Sequence, residues 1–184
     1  MKKLLVLVFA LGLFGTAQAQ FGVRAGYTSA NFSDFESNAI SGFHIGAYYK
    51  IGAGLLTVEP GMQYSQKGHN RTGDTNTPAV EKDRLNYIDV PVLLRVNFLP
   101  ILNVFAGPQG SLLVSRKLQY ADGSTETSIE PIKGYDIAGV VGVGVNLPLG
   151  LNAQASYDIG LQSANYYNQK VKNNVFKLSV GYDF

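Results

Sequence analysis

From Phe21 to Phe184 the chain carries eight stretches in which apolar residues alternate with polar or small ones. A period of two is the signature of a β-strand whose faces meet different surroundings. The stretches run over about Phe21–Ser29, Gly42–Ile51, Leu55–Gln66, Leu85–Phe98, Leu102–Val114, Gly134–Asn146, Leu151–Gly160 and Asn174–Phe184. In the third, Leu56, Val58, Pro60, Met62 and Tyr64 oppose Thr57, Glu59, Gly61, Gln63 and Ser65. In the last, Leu178, Val180, Tyr182 and Phe184 oppose Lys177, Ser179, Gly181 and Asp183. At roughly 10 to 13 residues each, these strands are long for a globular sheet and suit a tilted strand crossing a bilayer.

The connections alternate in length. Gly52-Ala53-Gly54, Leu99-Pro100-Ile101 and Leu147-Pro148-Leu149-Gly150 are tight, whereas the links around 30–41, 67–84, 115–133 and 161–173 are long and polar. An up-and-down meander puts alternate connections at opposite ends, so all tight turns share one end and all long loops the other. The expected fold is all-β, an eight-stranded antiparallel up-and-down transmembrane barrel with short periplasmic turns and long extracellular loops.

Alternation alone leaves open a soluble lipocalin-like barrel with an apolar inside. The composition of the polar face favours the membrane form. It is rich in glycine (Gly22, Gly26, Gly46, Gly61, Gly107, Gly142, Gly144, Gly181) with single charges between. A wetted face would carry long lysine and glutamate side chains, whereas a narrow interior needs small residues around a few large ones. On the apolar face, Phe21, Tyr49, Phe98, Tyr182 and Phe184 gather near the short-turn end, and Tyr27, Phe43, Tyr64, Tyr135 and Tyr157 toward the long-loop end. Two aromatic girdles match the two interfaces of a membrane.

The N-terminus adds a destination. Lys2 and Lys3, an apolar run from Leu4 to Phe14 and Ala17-Gln18-Ala19 form a secretory signal peptide over residues 1–19, cleaved to leave a barrel domain over 20–184. Cleavage removes two of the fifteen basic residues, leaving thirteen against thirteen acidic, so the mature chain is formally neutral and no nucleic-acid partner is expected. The absence of cysteine excludes a disulfide framework, a thiol nucleophile and a thiolate metal site.

Two resemblances follow from particular residues. The closing strand, with Lys177, Ser179, Tyr182 and Phe184 at fixed offsets, resembles the C-terminal assembly signal of bacterial outer-membrane barrels, although Ser179 stands where glycine is usual. Val58-Glu59-Pro60-Gly61-Met62-Gln63-Tyr64-Ser65-Gln66-Lys67-Gly68, Asn86-Tyr87-Ile88-Asp89-Val90-Pro91-Val92-Leu93-Leu94, Phe105-Ala106-Gly107-Pro108 and Gly142-Val143-Gly144 resemble the porin-like or PorT-like outer-membrane β-barrel family. Membership implies the outer membrane of a Gram-negative cell envelope, and as partners outer-membrane lipid, the barrel assembly machinery and periplasmic chaperones during export. It implies little about activity.

Arg24, Lys50, Glu59, Asp89, Arg95, Asp136, Asp158 and Lys177 are expected inside, four basic and four acidic. Such balance favours a paired plug over a selective pore, because an unpaired charge in a narrow interior is costly. Glu59 lies five residues beyond Gly54 and Arg95 four before Leu99, which puts them at similar depth on adjacent strands and predicts that they pair. His44 is expected in the lumen and His69 in a long loop, neither beside a serine in a hydrolase pattern, so no catalytic site is expected. Asp74, Glu81, Asp83, Asp122, Glu126 and Glu130 lack metal-ligand spacing, and no cofactor or metal is expected. The reading is a structural or surface-interaction protein that engages any extracellular ligand through its long loops. A narrow porin-like channel is the alternative, and a lipid-modifying enzyme stands behind it.

Overall fold

A computed structural model of the chain describes residues 20–32, 40–70, 80–120, 124–127, 135–161, 164–166, 169–171 and 173–184. The expected signal peptide, residues 1–19, lies outside the described residues, as do residues 33–39, 71–79, 121–123, 128–134, 162–163, 167–168 and 172 of the long connections. The strands are β1 (Gln20–Phe32), β2 (Ile40–Ala53), β3 (Leu56–Asn70), β4 (Val80–Val96), β5 (Leu102–Tyr120), β6 (Thr125–Thr127), β7 (Tyr135–Asn146), β8 (Leu151–Gly160), β9 (Ala164–Tyr166), β10 (Gln169–Val171) and β11 (Asn173–Asp183). Around the sheet the order is β4-β3-β2-β1-β11-β8-β7-β5, and β5 pairs back onto β4, closing eight antiparallel strands into a barrel. Short β6 adds to the upper part of β5, and β9 pairs with β10.

The first and last strands meet at a continuous seam, where pairing runs from Gly22↔Asp183 to Phe32↔Asn173. The Phe184 N–H also donates to the Phe21 carbonyl at 2.9 Å. Neighbouring tight turns are tied together: Asn97 N–H donates to the Leu55 carbonyl at 2.8 Å and Asn146 N–H to the Ile101 carbonyl at 2.8 Å. Gly54 (φ 69°) and Gly150 (φ 78°) take the left-handed conformation these turns demand, which glycine adopts without steric cost.

The alternation resolves into two faces as expected. Ile45, Met62, Leu94, Val143, Leu178 and Val180 point outward and are exposed, while Thr57, Glu59, Asp89, Arg95, Lys177 and Ser179 point inward and are buried. On the outer wall Phe21, Tyr49, Tyr182 and Phe184 form a continuous aromatic patch, with ring centroids 5.5 Å apart for Phe21–Tyr49 and 5.0 Å for Tyr182–Phe184. At the opposite end Phe43 meets Tyr64 at 5.9 Å.

Several strands run beyond the limits the alternation predicts. β3 continues to Asn70, β4 begins at Val80 and β5 reaches Tyr120, 19 residues in all, so much of the expected 67–84 and 115–133 loops is paired ladder. In these extensions the outward positions Gln66, Gly68, Arg84 and Lys117 are themselves polar or small, so the apolar–polar contrast that marks a strand disappears from the sequence.

Inside, glycines stand opposite large side chains. Gly22 faces Tyr48 across the β1–β2 pair, and a Cβ on Gly22 would lie 2.4 Å from the Tyr48 Cζ. Replacing Gly22 by alanine therefore costs about 1–3 kcal/mol, the scale of overpacking in a filled interior. In a Tyr48→Ala background the same substitution costs less than about 0.5 kcal/mol. Urea unfolding of the four variants in lipid vesicles measures this cycle, and equal costs in both backgrounds would show that ring and glycine do not share one space.

Candidate functional site

The inward faces of the strands build three tiers of charge. Near the short turns, Lys50 Nζ lies 2.7 Å from Asp183 Oδ2, and the Tyr48 hydroxyl donates to Asp183 Oδ1 at 2.7 Å. Asn152 donates to the Tyr48 oxygen at 2.7 Å and so joins β8 to β2.

The middle tier centres on Glu59, which is 1% exposed. Arg24 Nη1 donates to its Oε1 at 2.9 Å, while Arg95 reaches Oε2 through Nη2 at 2.9 Å and Nε at 3.1 Å. One carboxylate thus joins two guanidinium groups. Arg95 donates further to Asn103 Oδ1 and, at 3.0 Å, to Gln154 Oε1 on β8. Both guanidinium groups lie over rings, Arg24 at 4.0 Å from the Tyr48 centroid and Arg95 at 4.4 Å from that of Phe105, contacts that favour a cation held away from water.

The upper tier centres on Asp89, which is fully buried. Lys67 Nζ donates to its Oδ1 at 2.9 Å, Ser65 Oγ to Oδ2 at 2.6 Å and Lys177 Nζ to Oδ2 at 3.2 Å. Lys177 also lies 2.6 Å from Asp158 Oδ2, to which Gln109 Nε2 donates at 3.1 Å. In the cyclic strand order β4 and β11 are four strands apart in either direction. The Asp89–Lys177 contact therefore crosses the full width of the lumen. His44 Nε2 is 2.9 Å from Ser179 Oγ, which fixes the buried ring against the closing strand.

All eight charged residues expected inside do face inward, but they are not equally joined. Arg24, Glu59 and Arg95 form one group, Asp89, Asp158 and Lys177 another, and Lys50 pairs with Asp183. Asp136 is half-buried and forms no ion pair among the described residues; its Oδ1 accepts the Ile137 N–H at 2.8 Å. Among the described residues, three further charges face the interior. Lys67 and Arg116 fall in stretches expected to be loop, and Asp183, placed on the inward face by alternation, had no partner to suggest a role. The predicted Glu59–Arg95 partnership is present, with Arg24 as its unforeseen third member. His69 and the carboxylates Asp74, Glu81, Asp83, Asp122, Glu126 and Glu130 have side chains outside the described residues.

A family model described as an outer membrane protein beta-barrel domain matches residues 16–166. No functionally curated protein matches the sequence. Among solved structures, the fold is similar to Ail, the attachment invasion locus protein of Yersinia pestis, in complex with the heparin analogue sucrose octasulfate, with TM-score 0.53 and 13% identity over 91% of this chain and 99% of that one. It is similar to Neisserial surface protein A, with TM-score 0.56 and 15% identity over 91% and 99% of the two chains. A major outer membrane protein from Thermus thermophilus gives TM-score 0.56 and 15% identity over 90% and 99%. At these identities the likeness is one of fold.

Glu59 joins two buried cations at once. Glu59→Ala leaves two buried guanidinium groups without their carboxylate and is expected to cost about 3–5 kcal/mol. Replacing Arg24, Glu59 and Arg95 together by methionine is expected to recover most of that loss. Urea titrations in lipid vesicles check both, and a triple variant no more stable than Glu59→Ala would contradict the account.

Proposed function

The chain belongs to the outer membrane protein β-barrel family and resides in the bacterial outer membrane, and from that premise we propose that it is a sealed, non-catalytic barrel whose specific contacts are made at its extracellular end. The observation that carries this reading is the Asp89–Lys177 contact across the lumen at 3.2 Å. Eight strands enclose a space just wide enough for side chains, and here opposite walls touch. An ion crossing this tier has to displace Lys67 or Lys177 from carboxylates that both hold at hydrogen-bond distance. Breaking such buried pairs costs several kcal/mol each, far above thermal energy. A lipid-modifying activity finds little support, because His44, the buried histidine, is turned to Ser179 inside the wall rather than to a surface a lipid can reach.

The extended hairpins then become the place of contact with other molecules, since they are the part of the fold not committed to spanning the membrane. The strand end bearing Lys177, Ser179, Tyr182 and Phe184 is proposed as the segment read by the assembly machinery. Its outward aromatics and the hydrogen bond of Phe184 to Phe21 support that role.

Two measurements separate the readings. In planar bilayers bathed in concentrated KCl the wild-type barrel is expected to give no stepwise conductance, and reproducible openings would establish the channel alternative. The variant Asp89→Ala/Lys177→Ala, which removes the pair across the lumen, is expected to introduce brief openings.

A further inference from the structure

Of the lysine and arginine side chains that the structure describes, Arg84 and Lys117 alone are exposed; Arg24, Lys67, Arg95, Arg116 and Lys177 are buried and Lys50 is half-buried. The exposed two stand directly opposite each other on β4 and β5, in a row that runs Gly68–Arg84–Lys117–Thr127 across four strands. Neither makes an ion pair or side-chain hydrogen bond among the described residues. Like charges directly opposed on a ladder destabilise it unless a counter-charge comes from elsewhere. The carboxylate residues Asp83 and Glu126 occupy the next row, with Leu118 between them.

A β-bulge sets this juxtaposition. Between Tyr87↔Leu113 and Asn86↔Ser115 the β4–β5 register slips by one residue, so that Val114 has no partner. Below the slip Gln109, Ser111 and Leu113 point inward; above it Arg116 is buried and Lys117 exposed. Without the slip, strict alternation would send Lys117 inward and Arg116 out. A bulge re-aims side chains in this way at a local cost in pairing, and here its effect is to place a second cation beside Arg84.

Height gives the pair its surroundings. The uppermost aromatic row of this wall is Tyr64–Ile88–Leu112–Tyr135, continuous across β3, β4, β5 and β7. Next comes a polar rung, in which Asn86 Nδ2 donates to Ser115 Oγ at 2.8 Å. Arg84 lies four residues beyond Ile88, about 13 Å along the strand and about 10 Å along the axis of a barrel whose strands tilt by roughly 40°. Aromatic girdles sit at headgroup level, so the cations stand at the outer edge of the headgroup layer. With the short turns facing the periplasm, that layer belongs to the outer leaflet.

We propose that Arg84 and Lys117 form a binding site on the outer wall for the phosphate groups of a phosphorylated, multiply acylated glycolipid of the outer leaflet. Its acyl chains lie along the apolar wall below, past Val114, Leu112 and Val90, and its phosphates supply a counter-charge to the opposed cations. Two cations side by side suit a multiply charged head better than a singly charged phospholipid.

The test uses the full mature barrel, refolded in detergent and examined by native mass spectrometry with three added lipids: diphosphorylated lipid A, its dephosphorylated form and phosphatidylglycerol. The wild type is expected to retain the diphosphorylated lipid over the other two. The variant Arg84→Ala/Lys117→Ala is expected to lose about tenfold in that binding, and Arg84→Lys to keep most of it. Both substitutions fall on an exposed face, and unchanged heat-modifiable migration on a gel verifies folding. Equal retention of phosphatidylglycerol, no dependence on lipid phosphate, or undiminished binding by the double variant overturns the assignment. The comparison of lipids on the wild type decides even if the variant does not fold. Neither result bears on conductance, so the sealed-barrel reading stands or falls separately.

Discussion

Closure of the hydrogen-bonded ladder is the constraint on which everything else depends. A strand in hydrocarbon has no water to satisfy its N–H and C=O groups, so the sheet must return on itself. In this chain the return is made by β1 and β11, paired residue by residue from Gly22↔Asp183 to Phe32↔Asn173. Once eight strands are closed, the interior width is set, and the side chains inside have to share what space remains. Gly22 yields to Tyr48 and Gly142 to Phe105; a Cβ on Gly142 would lie 2.3 Å from the Phe105 ring. The glycine content of the inner face is therefore the geometric counterpart of the large groups opposite.

The same narrowness governs the charges. A wide barrel can leave ions hydrated, but here Asp89 and Lys177 meet from opposite walls, and Glu59 joins Arg24 and Arg95 from β1 and β4. Buried pairs of this kind contribute little net stability compared with an apolar filling, because desolvation offsets their attraction. Their consequence is registration. Lys67, Ser65, Asp89, Ser111 and Lys177 satisfy one another only if β3, β4, β5 and β11 are aligned as they are. A slip of one residue in β3, β4 or β11 would turn its charge toward lipid, at a cost of several kcal/mol near the bilayer centre.

How far the structure is legible in the sequence follows from which contrasts the environment imposes. Within the membrane each strand has lipid on one side and a polar lumen on the other, so alternation identifies eight strands and the inward facing of Glu59, Asp89 and Lys177. Toward the outer rim the outward positions turn polar as well, the contrast vanishes, and Lys67, Gly68, Arg84 and Lys117 read as loop although all belong to paired strands. Register is the second limit. Nearness to tight turns suffices to match Glu59 with Arg95, yet contacts between non-adjacent strands, such as Arg24 with Glu59 or Tyr48 with Asp183, depend on shear and tilt that no local pattern encodes. The bulge at Val114 is invisible for the same reason: Leu113-Val114-Ser115-Arg116-Lys117 contains no glycine or proline to mark a change of phase.

That change of phase also explains how one barrel keeps opposite rules on its two faces. Inside, the ion pairs among the described residues join groups that the closed ladder brings together, with Asp136 left to a backbone N–H. Outside, the described wall at the short-turn end is apolar and aromatic, from Phe21 and Tyr49 to Leu147 and Phe184. At the other end it carries a cationic pair that has no ion-pair partner among the described residues. An outer membrane is equally asymmetric, with phosphorylated glycolipid confined to its outer leaflet. A barrel inserted from the periplasm meets that leaflet only with its far end, so a lipid contact that helps to hold its height and orientation belongs there. The bulge accomplishes this at the cost of one unpaired residue, Val114, and it leaves Arg116 buried on the inner face.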